Sequence, residues 1–340
     1  MDLTQILVSV VVPCRNEAGN IGRLLGEIQA QEGLPGRMEV LIADGCSDDA
    51  TGEIVRLHVA SHPNTRLLMN EGRIVSTGLN LAIRETRGEY IVRMDAHSSY
   101  ARDYIKSCLE VMRETGAANV GGAARSRAEG RMPRAIAAAY ASPFAVGAAR
   151  FHFPDFEGKV DTVPFGCWRR DYLVKIGPFD ESLVRNQDDE LNLRIARAGG
   201  LIWQSRKIRS WYQPRLSTRQ LFMQYFQYGF WKIAVVRKHG APVAFRHVVP
   251  MIFVLSLLIG VCGVPFFGIA RLLLMIDLLL YGLFILSGAA RIAMAAGWDL
   301  FPLLLVVLPT FHVAYGLGSI SGVLGLSASK KSRLATGLSR

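Results

Sequence analysis

Cysteine is scarce and unpaired in this sequence. The five cysteines (Cys14, Cys46, Cys108, Cys167, Cys262) are scattered, with no CxxC pair and no Cys/His ligand spacing. That argues against a disulfide framework or a thiolate metal centre, and fits reduced thiols in a cytosolic domain. Negative charge is also short: 28 acids face 39 Lys and Arg, a formal net charge of +11. Such an excess would suit nucleic acid, but the basic residues gather beside apolar segments instead. Arg237, Lys238, His239, Arg246 and His247 precede those segments, and Lys330, Lys331, Arg333 and Arg340 follow them. This placement fits attraction to an anionic membrane leaflet, so a membrane partner is expected and nucleic acid is not. No basic n-region or A-x-A site opens the chain; MDLTQILVSVVVP runs straight into a strand pattern. The first domain is therefore expected to stay in the cytosol. Internal repeats and low-complexity tracts are absent.

What is present divides in two. Half of the 340 residues are hydrophobic, and they are spread unevenly. Residues 1–240 read as a soluble domain, 241–328 as a membrane region and 329–340 as a basic tail. Three apolar stretches make up the membrane region. Residues 248–270 carry no charge and are long enough to span a bilayer; 272–290 hold one acid, Asp277; 301–327 are rich in Gly and Ser. Basic residues at both flanks favour two crossings plus one re-entrant or interfacial segment, with 301–327 as the segment expected not to cross fully. Three full crossings are the alternative.

In the first domain, strands alternate with helices. VSVVVP (8–13) is a β-branched run stopped by proline, hence a buried strand. Ile21, Leu24, Leu25 and Ile28 then recur at helical spacing, behind Asn16 or Asn20 as candidate caps. MEVLIAD (38–44) and TRLLMN (65–70) read as the next strands, STGLNLAIRETRG (76–88) as a helix ended by Gly88, and EYIVRMD (89–95) as a fourth strand. The alternation implies right-handed βαβ units and a mostly parallel, Rossmann-like sheet. Ligands bind such sheets at the carboxyl ends of the strands, where Asp44 and Asp95 fall. Residues 121–160 are Gly/Ala/Arg-rich and are expected to form extended acceptor-side loops. Leu191, Leu193, Ile195 and Ala198 fit a helix with an acidic start, ended by Gly199 and Gly200.

Four constellations carry candidate chemistry, each with a plainer reading beside it. In ADGCSDD (43–49), Asp44 can accept hydrogen bonds from a nucleobase imide or a ribose; the same residues make a good helix-capping turn. In DAH (95–97), Asp95 and His97 are two metal-capable groups at i and i+2 of a strand end, or an ordinary polar strand exit. In QDDE (187–190), one acid can be a general base, or all three can simply favour a helix dipole. In QYFQYGFWK (224–232), Gln227 and Trp231 share a helix face suited to sugar or phosphate, or belong to an interfacial aromatic belt.

Taken in order, these motifs resemble the family 2 inverting glycosyltransferases with the GT-A fold, over about residues 7–235. VSVVVPCRNEAGNI is similar to that family's opening strand with its Pro, Asn and Glu (here Pro13, Asn16 and Glu17). IADGCSDDAT resembles its Asp-Asp-Gly-Ser-x-Asp turn, GEYIVRMDAH its Asp-x-Asp strand, and IGPFDESLVRNQDDELNLRIARAGG its Gly-Gly-Phe-Asp-Glu…Glu-Asp block. QYGFWK sits where processive members carry Gln-x-x-Arg-Trp. DAHS, RNQDDELN and the membrane tail are most similar to the ExoA-type succinoglycan glucosyltransferases. The sequence departs from the pattern at Ala43, His97, Gln187 and Phe230, which replace an acid, an acid, a Glu and an Arg.

The resemblance implies a hexosyltransferase. It would move glucose from UDP-glucose to a lipid-linked saccharide in exopolysaccharide or cell-surface glycan assembly, beside other glycan-assembly enzymes. It implies an inner-membrane, multi-pass protein with a cytoplasmic catalytic domain. Asp188, with Asp189 beside it, would supply the base. Pro13, Asn16, Glu17, Asp44, Arg73, Asp95, Gln227 and Trp231 would bind the donor. Asp95 and His97 would hold a divalent cation, Mn2+ or Mg2+, with imidazole favouring Mn2+. One alternative is a polyprenyl-phosphate sugar transferase of the same fold, with Arg125, Arg127, Arg131 and Arg134 for the lipid phosphate. An alternative of another class is a membrane transport or scaffold protein with a nucleotide-binding module, with Asp277 and His312 as pathway residues.

Overall fold

The structure, a computed structural model, describes residues 6–240 and 245–325. These form two compact units. Of the described residues, the first holds those up to 125 together with 153–213; the second holds 126–152 and those from 214 to 325. This division places 126–152 and 214–240 with the apolar helices rather than with the sheet.

The first unit opens with the alternation read from the sequence. Its elements are β1 (Ile6–Cys14), α1 (Ile21–Gln29), β2 (Arg37–Asp44), α2 (Thr51–Ser61), β3 (Thr65–Met69), α3 (Val75–Arg84) and β4 (Tyr90–Arg93). β1 pairs in parallel with both β2 and β4, and β2 with β3. A strand buried on both faces needs apolar residues at every position, and ILVSVVVPC supplies them. Ser9 is the polar exception. Its hydroxyl donates to Glu39 at 2.6 Å and accepts from the Gly88 N–H at 2.9 Å, so nothing polar is stranded. All four apolar positions expected on α1 are buried against β1 and β2. Asn20 is its N-cap residue but makes no capping bond; its amide donates to Glu17 instead.

Gly88 has a different role from the expected helix stop. α3 ends at Arg84, and a Cβ on Gly88 would press on the backbone of Val8 and Ser9. The glycine is there because the chain passes against β1.

The rest of the unit adds β5 (Ser98–Tyr100), α4 (Tyr104–Thr115), β6 (Asn119–Gly121) and β7 (Ala124–Ser126). After the excursion through α5 (Arg131–Tyr140) and α6 (Pro143–Val146) come β8 (Gly158–Lys159), β9 (Cys167–Arg169), α7 (Arg170–Ile176), α8 (Gln187–Arg197), β10 (Ile202–Gln204) and β11 (Ser210–Tyr212). The main sheet has the order β3-β2-β1-β4-β9-β6-β10-β8, and a small sheet has the order β5-β11-β7. β9 lies antiparallel between β4 and β6. α8 closes as the sequence indicates. Gly199 is left-handed (φ 80), its N–H returns to Ala196 and that of Gly200 to Ile195.

The second unit is helical: α5 and α6 with α9 (Thr218–His239), α10 (Val249–Gly263), α11 (Gly268–Ala296) and α12 (Phe301–Leu324). The stretch 121–160, expected as loops, thus contains two helices, α5 and α6. Ala135, Ile136 and Ala139 of α5 bury themselves against Ala289 and Ile292 of α11 and Leu304 of α12. Two helical stretches, Gly268–Ala296 and Trp298–Leu324, are long and apolar enough to cross a membrane. The first apolar stretch is the short one, contrary to expectation. A break at 264–267 leaves α10 with 15 residues, about 22 Å of helix against a hydrocarbon core of about 30 Å.

α9 and α12 cross backbone to backbone. A methyl on Gly318 would run into the Phe226 carbonyl, and one on Gly229 into the Tyr315 carbonyl. Close helix crossings in apolar surroundings need small residues of this kind. Gly318→Val should therefore lower the melting temperature of the detergent-solubilised protein sharply, on the scale of an overpacked core, about 1–3 kcal/mol or more. Gly282→Ala, where a Cβ meets nothing within 4 Å, should leave it unchanged or slightly raised.

Candidate active site

The carboxyl edge of the main sheet is where the backbone is strained. Five non-glycine residues among those described have positive φ: Asn16 (54°), Cys46 (53°), Arg73 (60°), Phe165 (62°) and Asn186 (61°). Asn16, Cys46 and Arg73 follow β1, β2 and β3. Phe165 precedes β9, which runs antiparallel and so starts at the same edge; Asn186 caps α8. Left-handed backbone at ordinary residues persists only where its surroundings enforce it, and it gathers at functional sites.

The loops after β1 and β2 are stitched into one piece. The N–H groups of Asn16, Glu17 and Ala18 donate to Ser47 Oγ, Thr51 Oγ1 and Asp49 Oδ2 at 2.9, 2.8 and 3.2 Å. Asn16 Oδ1 accepts from the Asp48 N–H in return, at 2.8 Å. Asp44 is buried beneath this lattice and accepts from the Ser47 hydroxyl at 2.5 Å. The capping reading does not hold, since the N-cap of α2 is Ala50 and no side chain caps it; the hydroxyls and acids instead build the turn, which fixes Asp44 at the strand end. Pro13 lies within β1, and Arg73 stands exposed beyond β3.

β4 ends at Arg93, two residues short of Asp95. Asp95 and His97 therefore sit in a turn, and the same-face geometry of a strand does not apply to them. Asp95 is buried and its N–H donates to the Tyr100 hydroxyl at 2.6 Å, whereas the His97 side chain is 60% exposed. His97 Nδ1 lies 3.6 Å from Glu17 Oε1. Arg23 of α1 pins the turn by donating to the carbonyls of Ala96 and Ser98 at 2.9 and 3.0 Å.

The strand-end residue Arg93 is the centre of the site. Its Nε and Nη2 donate to the two oxygens of Asp95 at 2.7 and 2.8 Å, and its Nη1 donates to Asp188 Oδ1 at 2.6 Å. Asp95 and Asp188 are thereby brought together. The three acids of QDDE, all in the first turn of α8, divide their work. Burial pushes Asp188 up to about 6, against the pull of Arg93, with Asp95 and Asp189 adding to the rise. Glu190 is fully buried and grips Arg194 at 3.0 Å, which in turn holds the carbonyls of Ile176 and Pro178. Asp189 adjoins Asp188 in the same turn.

Gln227 and Trp231 lie in the second unit, both buried on α9, with Phe230 edge-on to Trp231. Sequence reasoning missed Arg93, Tyr100 and Arg23, and read Ser47 only as a helix cap. For Arg93 a signal existed: a lone arginine inside the apolar run IVRM, two positions before an acid. Among the described residues no three His, Cys, Asp or Glu side chains converge as a ready metal cage.

Buried acids thus follow β2 and β4 of a mostly parallel sheet, and the second is joined through Arg93 to a half-buried carboxylate on α8. The model for Glycosyl transferase family 2 matches residues 9–175. Succinoglycan biosynthesis protein ExoA of Rhizobium meliloti (strain 1021) is 32% identical over 252 residues, covering 74% of this chain and 76% of that protein. The Methanococcus voltae dolichyl N-acetyl-alpha-D-glucosaminyl phosphate 3-beta-D-2,3-diacetamido-2,3-dideoxy-beta-D-glucuronosyltransferase is 25% identical over 239 residues, covering 68% of this chain and 74% of that one. Among solved structures, mannosyltransferase PcManGT from Pyrobaculum calidifontis, in complex with GDP-Man and Mn2+, aligns with TM-score 0.65 at 18% identity, over 95% of this chain and 90% of that chain. S. aureus TarS 1-349 aligns with TM-score 0.51 at 16% identity, over 94% and 92%. The chain belongs to glycosyl transferase family 2, and its fold is GT-A. It is a glycosyltransferase, so the transport or scaffold reading falls away. His312, the proposed pathway residue, has both ring nitrogens held, by Tyr281 Oη at 2.9 Å and the Phe144 carbonyl at 2.8 Å.

Glu190 and Asp188 should separate cleanly by mutation. Glu190→Ala leaves the Arg194 guanidinium without its carboxylate and should destabilise the fold by about 3 kcal/mol, the scale for breaking a buried pair from one side. Asp188→Asn should melt much closer to wild type. Thermal denaturation of the two variants checks this.

Proposed function

We propose that this enzyme transfers a hexose from a UDP-sugar, glucose before others, to a lipid-linked saccharide in exopolysaccharide or cell-surface glycan assembly. The observation that carries the proposal is the Asp95–Arg93–Asp188 bridge. It sets a half-buried carboxylate with a raised pKa beside the acid expected at the donor's diphosphate. Asp44 takes the nucleoside, framed by Pro13, Asn16 and Glu17, and Arg73 faces the diphosphate. Gln227 and Trp231 line the donor or acceptor path. The similarity to ExoA and to the Methanococcus voltae enzyme, whose name specifies a dolichyl phosphate-linked sugar, supports a lipid-linked acceptor. The apolar helices support a multi-pass anchor in the inner membrane with the catalytic domain on the cytoplasmic side, next to other glycan-assembly enzymes. Anchoring raises the effective concentration of an acceptor confined to the bilayer.

Asp188 Oδ1 is engaged by Arg93, and no hydrogen bond holds Oδ2 among the described residues. Oδ2 accepts the proton of the acceptor hydroxyl as that oxygen attacks the anomeric carbon. The bond from that carbon to the diphosphate breaks on the opposite face, so the product is inverted and the nucleoside diphosphate leaves. Asp189 adds to the negative field that favours proton uptake. Of the residues expected at a divalent cation, His97 is exposed with Glu17 beside it, while both oxygens of Asp95 are held by Arg93, so His97 and Glu17 are the donors open to it. When bound, the cation neutralises charge on the departing diphosphate. The polyprenyl-phosphate alternative is less well supported. Arg131 and Arg134 are committed to Asp299 and neighbouring carbonyls, and Arg125 to the carbonyls of Arg206 and Ile208.

A donor screen in membranes, UDP-glucose against GDP-mannose and other sugar nucleotides, should show transfer from UDP-glucose; absence of turnover with every donor would defeat the proposal. Asp188→Asn should slow turnover about 10²–10⁴-fold, the usual contribution of a general base. The base works deprotonated and its pKa is about 6. kcat/KM should therefore be full above that pH and fall tenfold per unit well below it. Mn2+ should support turnover better than Mg2+, and His97→Ala should weaken Mn2+ binding measured by calorimetry with UDP present. Unchanged Mn2+ affinity in that variant would remove His97 from the cation site.

A further inference from the structure

Arginine on a central strand is costly unless every charge it meets is answered. Arg93 lies at the end of β4, between β1 and β9, with its side chain 5% exposed. Its two partners come from different elements: Asp95 from the turn just beyond β4, Asp188 from α8. The contacts are unequal. Asp95 takes a two-pronged fork and is 10% exposed; Asp188 takes a single N–H and is 31% exposed. A fork fixes the plane of a guanidinium, whereas a single bond fixes only one oxygen of its acceptor.

We infer that Arg93 is a positioning residue for the base: Asp95 orients the guanidinium, and the guanidinium holds Asp188 Oδ1 so that Oδ2 faces the acceptor hydroxyl. The base is thereby registered to the diphosphate end of the site rather than to its own helix. The inference rests on Asp188 being the base. Lysine cannot replace this arginine, because an ammonium offers no planar fork to Asp95 while reaching Asp188.

The test is a double-mutant cycle on full-length protein in membranes, reading UDP release for turnover and UDP binding by calorimetry. Arg93→Gln and Arg93→Lys should each lower kcat about 10²-fold, with UDP affinity and donor KM within about threefold of wild type. In the Asp188→Asn background, Arg93→Gln should cost less than about threefold, since the group it positions is already disabled. A full-sized cost in that background would mean that Arg93 acts on the diphosphate or on the fold, and would overturn the inference. So would a loss of UDP affinity with kcat unchanged. If Arg93→Gln does not fold, Arg93→Lys, which keeps charge and stem, carries the same cycle. If Asp188→Asn retains the wild-type rate, the base assignment fails first. If it is slow while both Arg93 variants are normal, only the present inference fails.

Discussion

Two carboxylates that face one another at the end of a sheet need a cation between them, and in this enzyme the chain supplies its own. Asp95 and Asp188 stand 93 positions apart in sequence and reach the same guanidinium within 2.8 Å. Without Arg93 their mutual repulsion, in a place poor in water, would drive one of them to take up a proton. With it, Asp95 is held in a two-pronged fork, while burial raises the Asp188 carboxyl to about 6. The difference between the two acids follows from exposure and from how many N–H groups each receives.

That bridge also explains why the surroundings are rigid. The guanidinium can link α8 to β4 only if the turn bearing Asp95 is fixed. Tyr100 holds its backbone N–H, Arg23 holds the carbonyls on either side of His97, and the Arg93 N–H itself donates to the Gly166 carbonyl at 3.1 Å. Gly166 has to be glycine, because its φ is 102° and a Cβ would press on Trp168. On the other side, the interlocked loops after β1 and β2 do the same for Asp44. The five left-handed residues at this edge are the conformational cost of holding loops in place so that few side chains need to move when a ligand arrives.

Much of the sheet could be read directly, because its strands are buried on both faces and so spell themselves as continuous apolar runs. VSVVVP and MEVLIAD needed no context. The helix behind them could be read from Ile21, Leu24, Leu25 and Ile28, and the end of α8 from Gly199 and Gly200, because each signal is local. What escaped is non-local. Residues 121–160 look like loop because alanine-rich α5 within them has little apolar bulk of its own; it becomes a helix against α11 and α12. Gly88 looks like a helix stop, but its constraint comes from β1, some 80 residues earlier. The candidate acids could be found by position, whereas the partner joining two of them could not, since nothing in IVRM states that Asp188 will arrive above it. Gln227 and Trp231 follow the family motif in sequence, yet they are packed in a different compact unit from the acids.

The departures from the family pattern make physical sense together. Ala43 is 1% exposed and packs under α3, where the Cβ that Gly78 lacks would already lie 3.4 Å from it. A carboxylate at that position would be buried without a partner. Gln187 is likewise buried at the start of α8, and His97 faces Glu17. Each of these three positions replaces an acid with a neutral or basic-capable group. The edge already carries Asp44, Asp95, Asp188, Asp189 and Glu17, with Arg93 buried among them. Three further carboxylates would add to the repulsion around Asp188, whose carboxyl is already raised. The smaller number of acids and the internal arginine are thus two halves of the same electrostatic solution, and both limit the negative charge crowded around Asp188.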